Sequence, residues 1–359
     1  MNKKVEKSLI ERIKADPSNI EYMNDQTEDM CLTAVRLNGS TIRYVKNKNK
    51  NVCLAAVKES SYALQWIEDQ SEDVCLEAVK RNGLALRYVK DKTKLLCLAA
   101  VKEDGRALKY VEDQTEEVCL AAVNQSKEVL QYVKNQTEEV CLAAVKKDRD
   151  ALQYVKNQTE EICLEAVHRN SHVLKYVKNQ TENICLESVK LDGYCLQYVK
   201  EKTKDVCIAA IKSDGYAIQY IDYQTEEMCL EAVKQKGYAL QYVKDQTEKV
   251  CLEAVKQNGY ALQYVNNVTD KIILEALKQN LDAWHTAGEC FDINKRSHAI
   301  LFLNASLYHK NKNEGVLTMI LKRFNKDKII INFYTKNKLW KYVDFSKLNA
   351  ELSQYSMTL

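Results

Sequence analysis

One residue type recurs along this chain at a fixed interval. Eleven of the thirteen cysteines lie 22 residues apart without an insertion, and an interval held so strictly is typical of a stacked repeat array. The cysteines of this series are Cys31, Cys53, Cys75, Cys97, Cys119, Cys141, Cys163, Cys185, Cys207, Cys229 and Cys251. The register reaches back to Leu9 and forward to Ile273, which predicts about thirteen repeats between roughly residues 5 and 290, with atypical repeats at both ends.

Composition narrows the class of fold. Of the 359 residues, 46% are hydrophobic and 29% are charged, which provides enough apolar residues for a folded core. A single proline and nine glycines favour a mostly helical chain over a loop-rich β-sandwich. No apolar run approaches the roughly 18 residues of a membrane-spanning helix, and charged residues interrupt the start of the chain where a secretory leader has its apolar core. We therefore expect a protein that is neither inserted in a membrane nor secreted.

The first half of each repeat is predicted to be a helix. In the repeat at residues 247 to 268, the apolar positions are Val250, Cys251, Leu252, Ala254 and Val255. At 100° per residue they cover an arc of about 200° with the cysteine near its middle, which predicts a helix covered on several sides. Thr247 is a good N-cap, and Gly259 lies just beyond the last turn, so both ends of the helix are marked.

The second half of the repeat is predicted to be a shorter helix. Its apolar positions are Tyr260, Ala261, Leu262, Tyr264 and Val265. A helix of little more than two turns is marginal alone, so stacking against neighbouring repeats must stabilise it. Leucine-rich repeats have a similar period but need an L-x-x-L-x-L strand, which this repeat lacks. The predicted fold is all-α: a helical-repeat solenoid with one long and one short helix per 22-residue repeat, followed by a small C-terminal α or α+β element.

Two blocks of the repeat resemble a known family. The segments VCLEAVKQNG and ALQYV, as they stand within residues 250 to 265, are similar to the short helical repeats called the domain of unknown function 4116. The resemblance covers about four fifths of the chain, and both blocks recur in register. It implies a repeat scaffold and suggests a viral or protist source, because such repeats are abundant in large DNA viruses of protists. It implies no catalytic residue and no ligand.

We interpret the cysteine series as structural. A thiol in the middle of the apolar arc is expected to be buried, protonated and inert. Neighbouring helices pack about 8 to 10 Å apart, whereas a disulfide requires Cα atoms within about 7 Å, so equivalent cysteines should not bridge. The C-x-x-C pairs of many metal sites do not occur in this sequence. We predict no disulfide, metal site or cofactor, and so many unpaired thiols favour a reducing compartment, the cytoplasm.

Two polar rows are predicted on the outer side of the short helix. The first, from Gln65 to Gln263, is mostly glutamine, and the second, three residues later, is mostly lysine but is interrupted by three acids. Evenly spaced cations suit a phosphate-binding track. However, residues 1 to 290 hold 41 lysines and arginines against 45 acids. That balance favours a solvated surface over nucleic-acid binding by the repeats.

The turn between the two helices varies most from repeat to repeat. It reads ESSY at 59 to 62, EDGR at 103 to 106 and QKGY at 235 to 238, and a variable edge on a uniform scaffold is where a specific partner would be distinguished. Four successive repeats carry a tyrosine at this turn: Tyr194, Tyr216, Tyr238 and Tyr260. We predict that this row binds a protein partner. The alternative is that each ring packs on the tyrosine four residues later.

The repeat register is lost from about residue 291, so we predict a solenoid over residues 1 to 290 and a separate element over 291 to 359. All five phenylalanines lie in this element, with 12 lysines and arginines against 5 acids. Residues 315 to 324 suit a helix, and residues 328 to 345 suggest a hairpin around a Lys-Asn-Lys turn. The element either caps the last repeat or docks an acidic partner or nucleic acid. The basic residues predicted for docking are Lys322, Arg323, Lys326, Lys328, Lys336, Lys338 and Lys341.

The sequence gives little support for catalysis. His285, His298 and Cys290 lie near the end of the repeats, but no nucleophile motif surrounds them, and the chain has neither a phosphate-cradling glycine loop nor an H-E-x-x-H motif. We expect a non-enzymatic scaffold that holds a protein partner on the variable turn edge or in a groove. The alternatives are binding of nucleic acid or an acidic partner by the C-terminal segment, and self-assembly into a structure such as a viral particle.

Overall fold

The computed structural model describes residues 3–286, 288 and 291–344. The chain divides into two compact bodies, the N-terminal body Met1–Asn179 and the C-terminal body Gln180–Leu359. Every regular element in the described residues is an α-helix or a 3-10 helix. The predicted all-α repeat solenoid is thereby confirmed. Among the described residues, no helix is both long enough and apolar enough to span a bilayer.

Each predicted repeat consists of an α-helix followed by a 3-10 helix. The α-helices are α1 (Lys3–Ala15), α2 (Glu28–Leu37), α3 (Lys50–Glu59), α4 (Glu72–Arg81), α5 (Lys94–Glu103), α6 (Glu116–Val123), α7 (Glu138–Lys147), α8 (Glu160–Arg169), α9 (Glu182–Leu191), α10 (Lys204–Ser213), α11 (Glu226–Gln235), α12 (Glu248–Gln257), α13 (Asp270–Gln279), α14 (Arg296–Ser306), α15 (Glu314–Arg323) and α16 (Lys328–Lys336). The 3-10 helices that follow α1 to α13 are Pro17–Tyr22, Gly39–Tyr44, Ser61–Trp66, Gly83–Tyr88, Gly105–Tyr110, Lys127–Tyr132, Arg149–Tyr154, Ser171–Tyr176, Gly193–Tyr198, Gly215–Tyr220, Gly237–Tyr242, Gly259–Tyr264 and Leu281–Thr286. Residues 3 to 286 therefore hold thirteen helix pairs, the number that the cysteine period predicts.

Local signals delimit the two helices of a repeat. At the start of α12, the Thr247 hydroxyl accepts a hydrogen bond from the Val250 N–H at 3.3 Å, as an N-cap does. Asn258 ends the helix in extended backbone, and its side-chain oxygen accepts from the Tyr260 N–H at 3.0 Å to begin the 3-10 helix. The core residues of this repeat are buried: Val250, Cys251, Ala254, Val255, Ala261, Leu262 and Val265. The core therefore lies between the long helices and the 3-10 helices.

The glycine that follows the long helix has a different role from a left-handed C-cap. Among the described residues, the one glycine with positive φ is Gly288. A Cβ on Gly259 would lie 2.6 Å from the carbonyl oxygen of Ala276 in the next repeat, and one on Gly83 would lie 2.3 Å from that of Ala100. At these glycines the 3-10 helix approaches the backbone of the following long helix closely, whereas Ser61, Lys127, Arg149, Ser171 and Leu281 occupy the same position in other repeats.

The hairpin predicted for residues 328 to 345 is wrong where the structure describes them, because residues 328 to 336 form α16. Asp327 caps this helix by accepting from the N–H groups of Ile329 and Ile330 at 2.9 and 3.3 Å. Ile330 and Tyr334, four residues apart, are buried, and the Tyr334 hydroxyl donates to the Leu317 carbonyl at 2.6 Å. The helical period therefore outweighs the strand preference of the β-branched residues. Phe345 lies outside the described residues.

The described part of the C-terminal segment continues the solenoid in altered form. α14 packs against α13, the helix of the last repeat, and a His309 ring nitrogen lies 2.8 Å from the Leu277 carbonyl oxygen of α13. In α15, the buried positions Val316, Leu317, Ile320 and Leu321 repeat the spacing of Val250, Cys251, Ala254 and Val255. α14 therefore packs on the helix of the last repeat, and the choice between a cap and a docking element stays a prediction. Residues 289 and 290, beside the predicted boundary, lie outside the described residues.

Candidate interaction surfaces

The last position of most repeats holds a glutamine that joins two successive repeats. The Gln246 Nε2 donates to the Leu240 carbonyl of its own repeat at 3.2 Å and to the Tyr264 carbonyl of the next at 2.8 Å. Its Oε1 accepts from the Asn266 N–H at 2.9 Å. The same two bonds to the next repeat are made by Gln26, Gln70, Gln114, Gln136, Gln158, Gln180 and Gln224. We call this arrangement a glutamine junction.

Three repeats carry lysine instead of this glutamine, and we call their contacts with the next repeat lysine junctions. The lysines are Lys48, Lys92 and Lys202, and the residues 20 positions later are Glu68, Glu112 and Asp222. After a junction glutamine, that position is lysine or asparagine. At the Lys92 junction, the ammonium lies 3.8 Å from the Glu112 carboxylate, and Lys94 pairs with Glu117 at 2.6 Å. At this junction, ion pairs between the two repeats therefore stand where a glutamine junction has hydrogen bonds.

The predicted lysine row bonds to backbone rather than only facing solvent. The ammonium groups of Lys46, Lys134 and Lys244 donate to carbonyl oxygens of the preceding repeat at 2.8 to 3.0 Å. Lys90, Lys156 and Lys178 also donate to such carbonyls. These hydrogen bonds satisfy C=O groups of the turns, so the lysine row has a structural role. Neither the interpretation as a phosphate-binding track nor the interpretation as a solvated surface included this role.

The cysteine series lies in the core. The twelve described cysteines are all buried, as predicted. Burial raises the pKa of the Cys141 and Cys163 thiols to about 11, because the thiolate would lose its hydration. At a glutamine junction, the Cys251 sulfur lies 3.8 Å from the Gln246 Oε1. A protonated thiol in such a place is a small packing group and a poor nucleophile. Cys290 lies outside the described residues.

The predicted tyrosine row, Tyr194, Tyr216, Tyr238 and Tyr260, is half-buried in the C-terminal body. Three of its rings make edge contacts with the last tyrosine of the following repeat, 26 residues later. The centroid distances are 6.1 Å for Tyr194 and Tyr220, 6.0 Å for Tyr216 and Tyr242, and 5.8 Å for Tyr238 and Tyr264. The rings of these three residues therefore pack between repeats rather than on the tyrosine four residues later. Partner binding by this row stays a prediction.

The long helices expose an apolar row that the sequence interpretation missed. Leu252 is half-buried, so one side of the predicted 200° arc faces solvent. The equivalent half-buried residues are Leu32, Leu54, Leu76, Leu98, Leu120, Leu142, Leu164, Leu186, Ile208, Leu230 and Leu274. Between α4 and α5, Leu76, Leu98 and Ala99 line a groove of about 440 Å³. The adjacent position is alanine in some repeats and glutamate in others, with threonine at Thr33, a signal that this side of the helix is at the surface.

The predicted basic docking residues lie on α15, on α16 and on the segments that follow each of them. All seven, Lys322, Arg323, Lys326, Lys328, Lys336, Lys338 and Lys341, are exposed. None of them forms an ion pair with a described residue. The Lys341 ammonium lies 4.8 Å from the ring centroid of Tyr342. The surface therefore presents cations whose charge is not balanced by ion pairing within the described chain.

The histidines near the end of the repeats have structural contacts. His285 is exposed, with its ring centroid 3.7 Å from that of Trp284. The His298 Nδ1 accepts from the Asp292 N–H at 2.9 Å, and the His298 ring stacks on Phe291 at 5.0 Å. Among the described residues, neither histidine has a hydrogen bond to a nucleophilic side chain that it could activate.

Comparison with known proteins identifies the repeats. The family described as Domain of unknown function (DUF4116) matches residues 49–94, 71–114, 137–180, 181–225 and 225–268. Each match spans two successive repeats, and together they cover more than half of the chain. Searches of curated proteins and of solved structures found no significant match. On the strength of these tandem matches, the chain belongs to the DUF4116 family of helical-repeat proteins.

Proposed function

We propose that this protein is a non-enzymatic scaffold that binds a protein partner on the tyrosine row Tyr194, Tyr216, Tyr238 and Tyr260. The observation that carries the proposal is that four successive repeats each present a half-buried tyrosine at the same turn position, and three of these rings pack on the last tyrosine of the following repeat. Tyrosine is enriched among the residues that dominate binding energy, because its ring contributes apolar area while its hydroxyl tolerates water.

Contacts with neighbouring side chains order the Tyr216 ring of this row before a partner binds. The Tyr216 ring has the Tyr242 ring on one side and the Lys236 ammonium 4.6 Å from its centroid. That ammonium is held by the Asp214 carboxylate at 2.6 Å. The Tyr216 side chain would therefore lose less conformational entropy when a partner binds than a freely rotating ring would. The turn residues differ along the row, from aspartate to lysine to asparagine, and offer a basis for selectivity.

The proposal is tested by affinity capture with the full chain, followed by titration of the purified partner. The double variant Tyr216→Ser and Tyr238→Ser is expected to raise the Kd by about 30- to 700-fold, because each of the two anchors contributes about 1 to 2 kcal/mol. The matched control is Gln219→Ser and Gln241→Ser in the same repeats. Circular dichroism checks that both variants remain helical. Equal affinity of the two double variants for the partner would refute the tyrosine row as the binding surface.

A second candidate is binding of an acidic partner or nucleic acid by the basic C-terminal surface. It is favoured by the seven exposed cations without a described ion pair, whereas many lysines of the repeats bond to backbone carbonyls or to acids. A variant with Lys328→Gln, Lys336→Gln and Lys338→Gln should lose such binding, and the wild-type affinity should fall steeply with salt. A partner retained by this variant at high salt supports the tyrosine row instead.

We also propose a cytoplasmic location. Twelve described cysteines are buried thiols, and a reducing compartment keeps such thiols reduced. Fractionation of the source cell tests this, and recovery in an oxidising compartment would contradict it. A role in a self-assembling particle would instead appear as concentration-dependent association of the purified chain in sedimentation.

A further inference from the structure

Two lysine junctions border cavities between successive repeats that are open to solvent. The cavity at the Lys92 junction measures about 330 Å³, and the cavity at the Lys202 junction measures about 370 Å³. Each is lined by three lysines at alternate positions of one turn, Lys90, Lys92 and Lys94 in the first and Lys200, Lys202 and Lys204 in the second. The next repeat supplies the opposite wall. The same position in the repeat therefore combines a cavity with a cluster of cations twice.

The lysine junctions leave a backbone donor that the glutamine junctions satisfy. At Gln224, the side-chain oxygen accepts from the Lys244 N–H at 2.9 Å. At the equivalent place, Lys202 offers no acceptor, and the N–H of Asp222 has no acceptor among the described residues. The Asp222 carboxylate does not compensate, because it is 87% exposed and lies 3.9 Å from Lys244. The wall of the cavity therefore holds an N–H group without an oxygen partner.

The charge around the Lys202 cavity favours an anion. Asp222 is the one acid among its lining residues, against three lysines. Lys204 pairs with Glu227 at 2.8 Å, whereas Lys202 forms no ion pair with a described residue. The N-termini of α10 and α11 border the cavity, and partial positive charge at helix N-termini stabilises anions. At the Lys92 cavity, the lining acids Asp91, Glu112 and Asp113 equal the lysines in number, so an anion is less favoured there.

We propose that the Lys202 junction binds the phosphate group of a small phosphorylated molecule. A phosphate oxygen would accept from the Asp222 N–H, as the glutamine Oε1 accepts at a glutamine junction, and Lys200 and Lys202 would balance its charge. A cavity of about 370 Å³ exceeds the volume of phosphate alone, so it has room for the rest of the molecule. The rest of the molecule would contact the residues that line the cavity beside the lysines. These are Ile221, Met228 and Tyr223, of which Tyr223 is 91% exposed.

Calorimetric titration of the full chain with inorganic phosphate and with pyrophosphate tests this site. Lys202→Gln removes the cation and supplies the missing acceptor, and it is expected to fold because glutamine occupies this position in eight other repeats. We expect it to weaken phosphate binding at least tenfold. The matched control is Lys234→Gln on α11, an exposed lysine outside the cavity, which makes the same change in net charge. It should bind as the wild type does.

Hydrogen exchange of the Asp222 amide supplies a second readout. Phosphate should slow this exchange in the wild type, whereas Lys202→Gln should show slow exchange without phosphate. Lys202→Met removes the cation without adding an acceptor, so it should bind phosphate more weakly and keep a fast Asp222 amide. Equal phosphate affinity of Lys202→Gln and Lys234→Gln, or an Asp222 amide that does not respond to phosphate in the wild type, would overturn the proposal.

Discussion

Replacing Gln246 by methionine tests whether the glutamine junctions hold successive repeats together. Methionine fills a similar volume but provides no strong donor or acceptor. The change removes the bonds to the Leu240 and Tyr264 carbonyls, at 3.2 and 2.8 Å, and the bond from the Asn266 N–H at 2.9 Å. At about 0.5 to 1.5 kcal/mol per bond, three bonds give about 1.5 to 4.5 kcal/mol. Because the site is only part-buried and water can replace some of these bonds, we expect a loss of about 1.5 to 3 kcal/mol.

Urea denaturation followed by circular dichroism measures the overall loss in free energy of unfolding. Repeat arrays often unfold in steps, so hydrogen exchange of the Asn266 amide gives the local effect separately. The matched control is Gln263→Met. Gln263 is exposed and bonds only within its own repeat, to the Tyr260 carbonyl at 3.1 Å. We expect this control to change stability by less than about 0.5 kcal/mol.

The reasoning is refuted if Gln246→Met and Gln263→Met unfold at the same urea concentration and leave exchange of the Asn266 amide equally slow. That result would mean that the apolar core alone couples these repeats, and that water replaces the glutamine bonds without loss.

Three further predictions concern the core. Gly259→Ala should lower the free energy of unfolding by about 1 to 3 kcal/mol, because the new Cβ would lie 2.6 Å from a carbonyl oxygen. Gly315→Ala in α15, where the nearest atom is 3.7 Å away, should raise the free energy of unfolding by up to about 1 kcal/mol. Urea titrations that give the same sign for both variants would contradict this account. Burial raises the pKa of the Cys163 and Cys229 thiols from the ordinary value of 9.0 to about 11, so the stability that these protonated thiols contribute is complete below pH 9 and is lost as the pH rises toward 11. In urea titrations, the free energy of unfolding should therefore fall less between pH 8 and pH 10.5 for the Cys163→Ala, Cys229→Ala variant than for the wild type. An equal fall in both proteins would be evidence against this effect of the buried thiols. Tyr334→Phe should lower the free energy of unfolding by about 1 to 3 kcal/mol, because it leaves the buried Leu317 carbonyl without its 2.6 Å hydrogen bond. Tyr308→Phe, at a ring that is 68% exposed, should lower it by less than about 0.5 kcal/mol in the same assay. Equal losses for the two variants would show that the Tyr334 hydrogen bond does not contribute to stability.

Features set by residues close in sequence were predictable. The cap at Thr247, the burial of Cys251 and the number of helix pairs all follow from spacing within one repeat or from the period itself. Helical periodicity is a strong signal when the same pattern occurs many times in register. The exposure of Leu252 was harder to predict, because an arc of apolar residues does not reveal which of its edges a neighbouring helix covers.

Features that depend on the next repeat were not predicted. Gln246 looks like a surface residue until its partners, 18 and 20 residues ahead, are known. The ring contact of Tyr238 with Tyr264 likewise spans 26 residues. One signal was available: the residue 20 positions after a junction glutamine is lysine or asparagine, and after a junction lysine it is an acid. This correlation between the two positions is found only when successive repeats are compared with each other.

The two junction types make the repeats unequal as modules for duplication and loss. Deleting residues 115 to 136 would leave Gln114 followed, 20 positions on, by Lys156, which restores a glutamine junction. Deleting residues 93 to 114 would instead set Lys92 against Lys134, two like charges where Glu112 now stands. Recombination between such similar repeats therefore yields well-matched arrays at some breakpoints and mismatched ones at others. The order in which the repeats follow one another is therefore constrained, in addition to the sequence of each repeat.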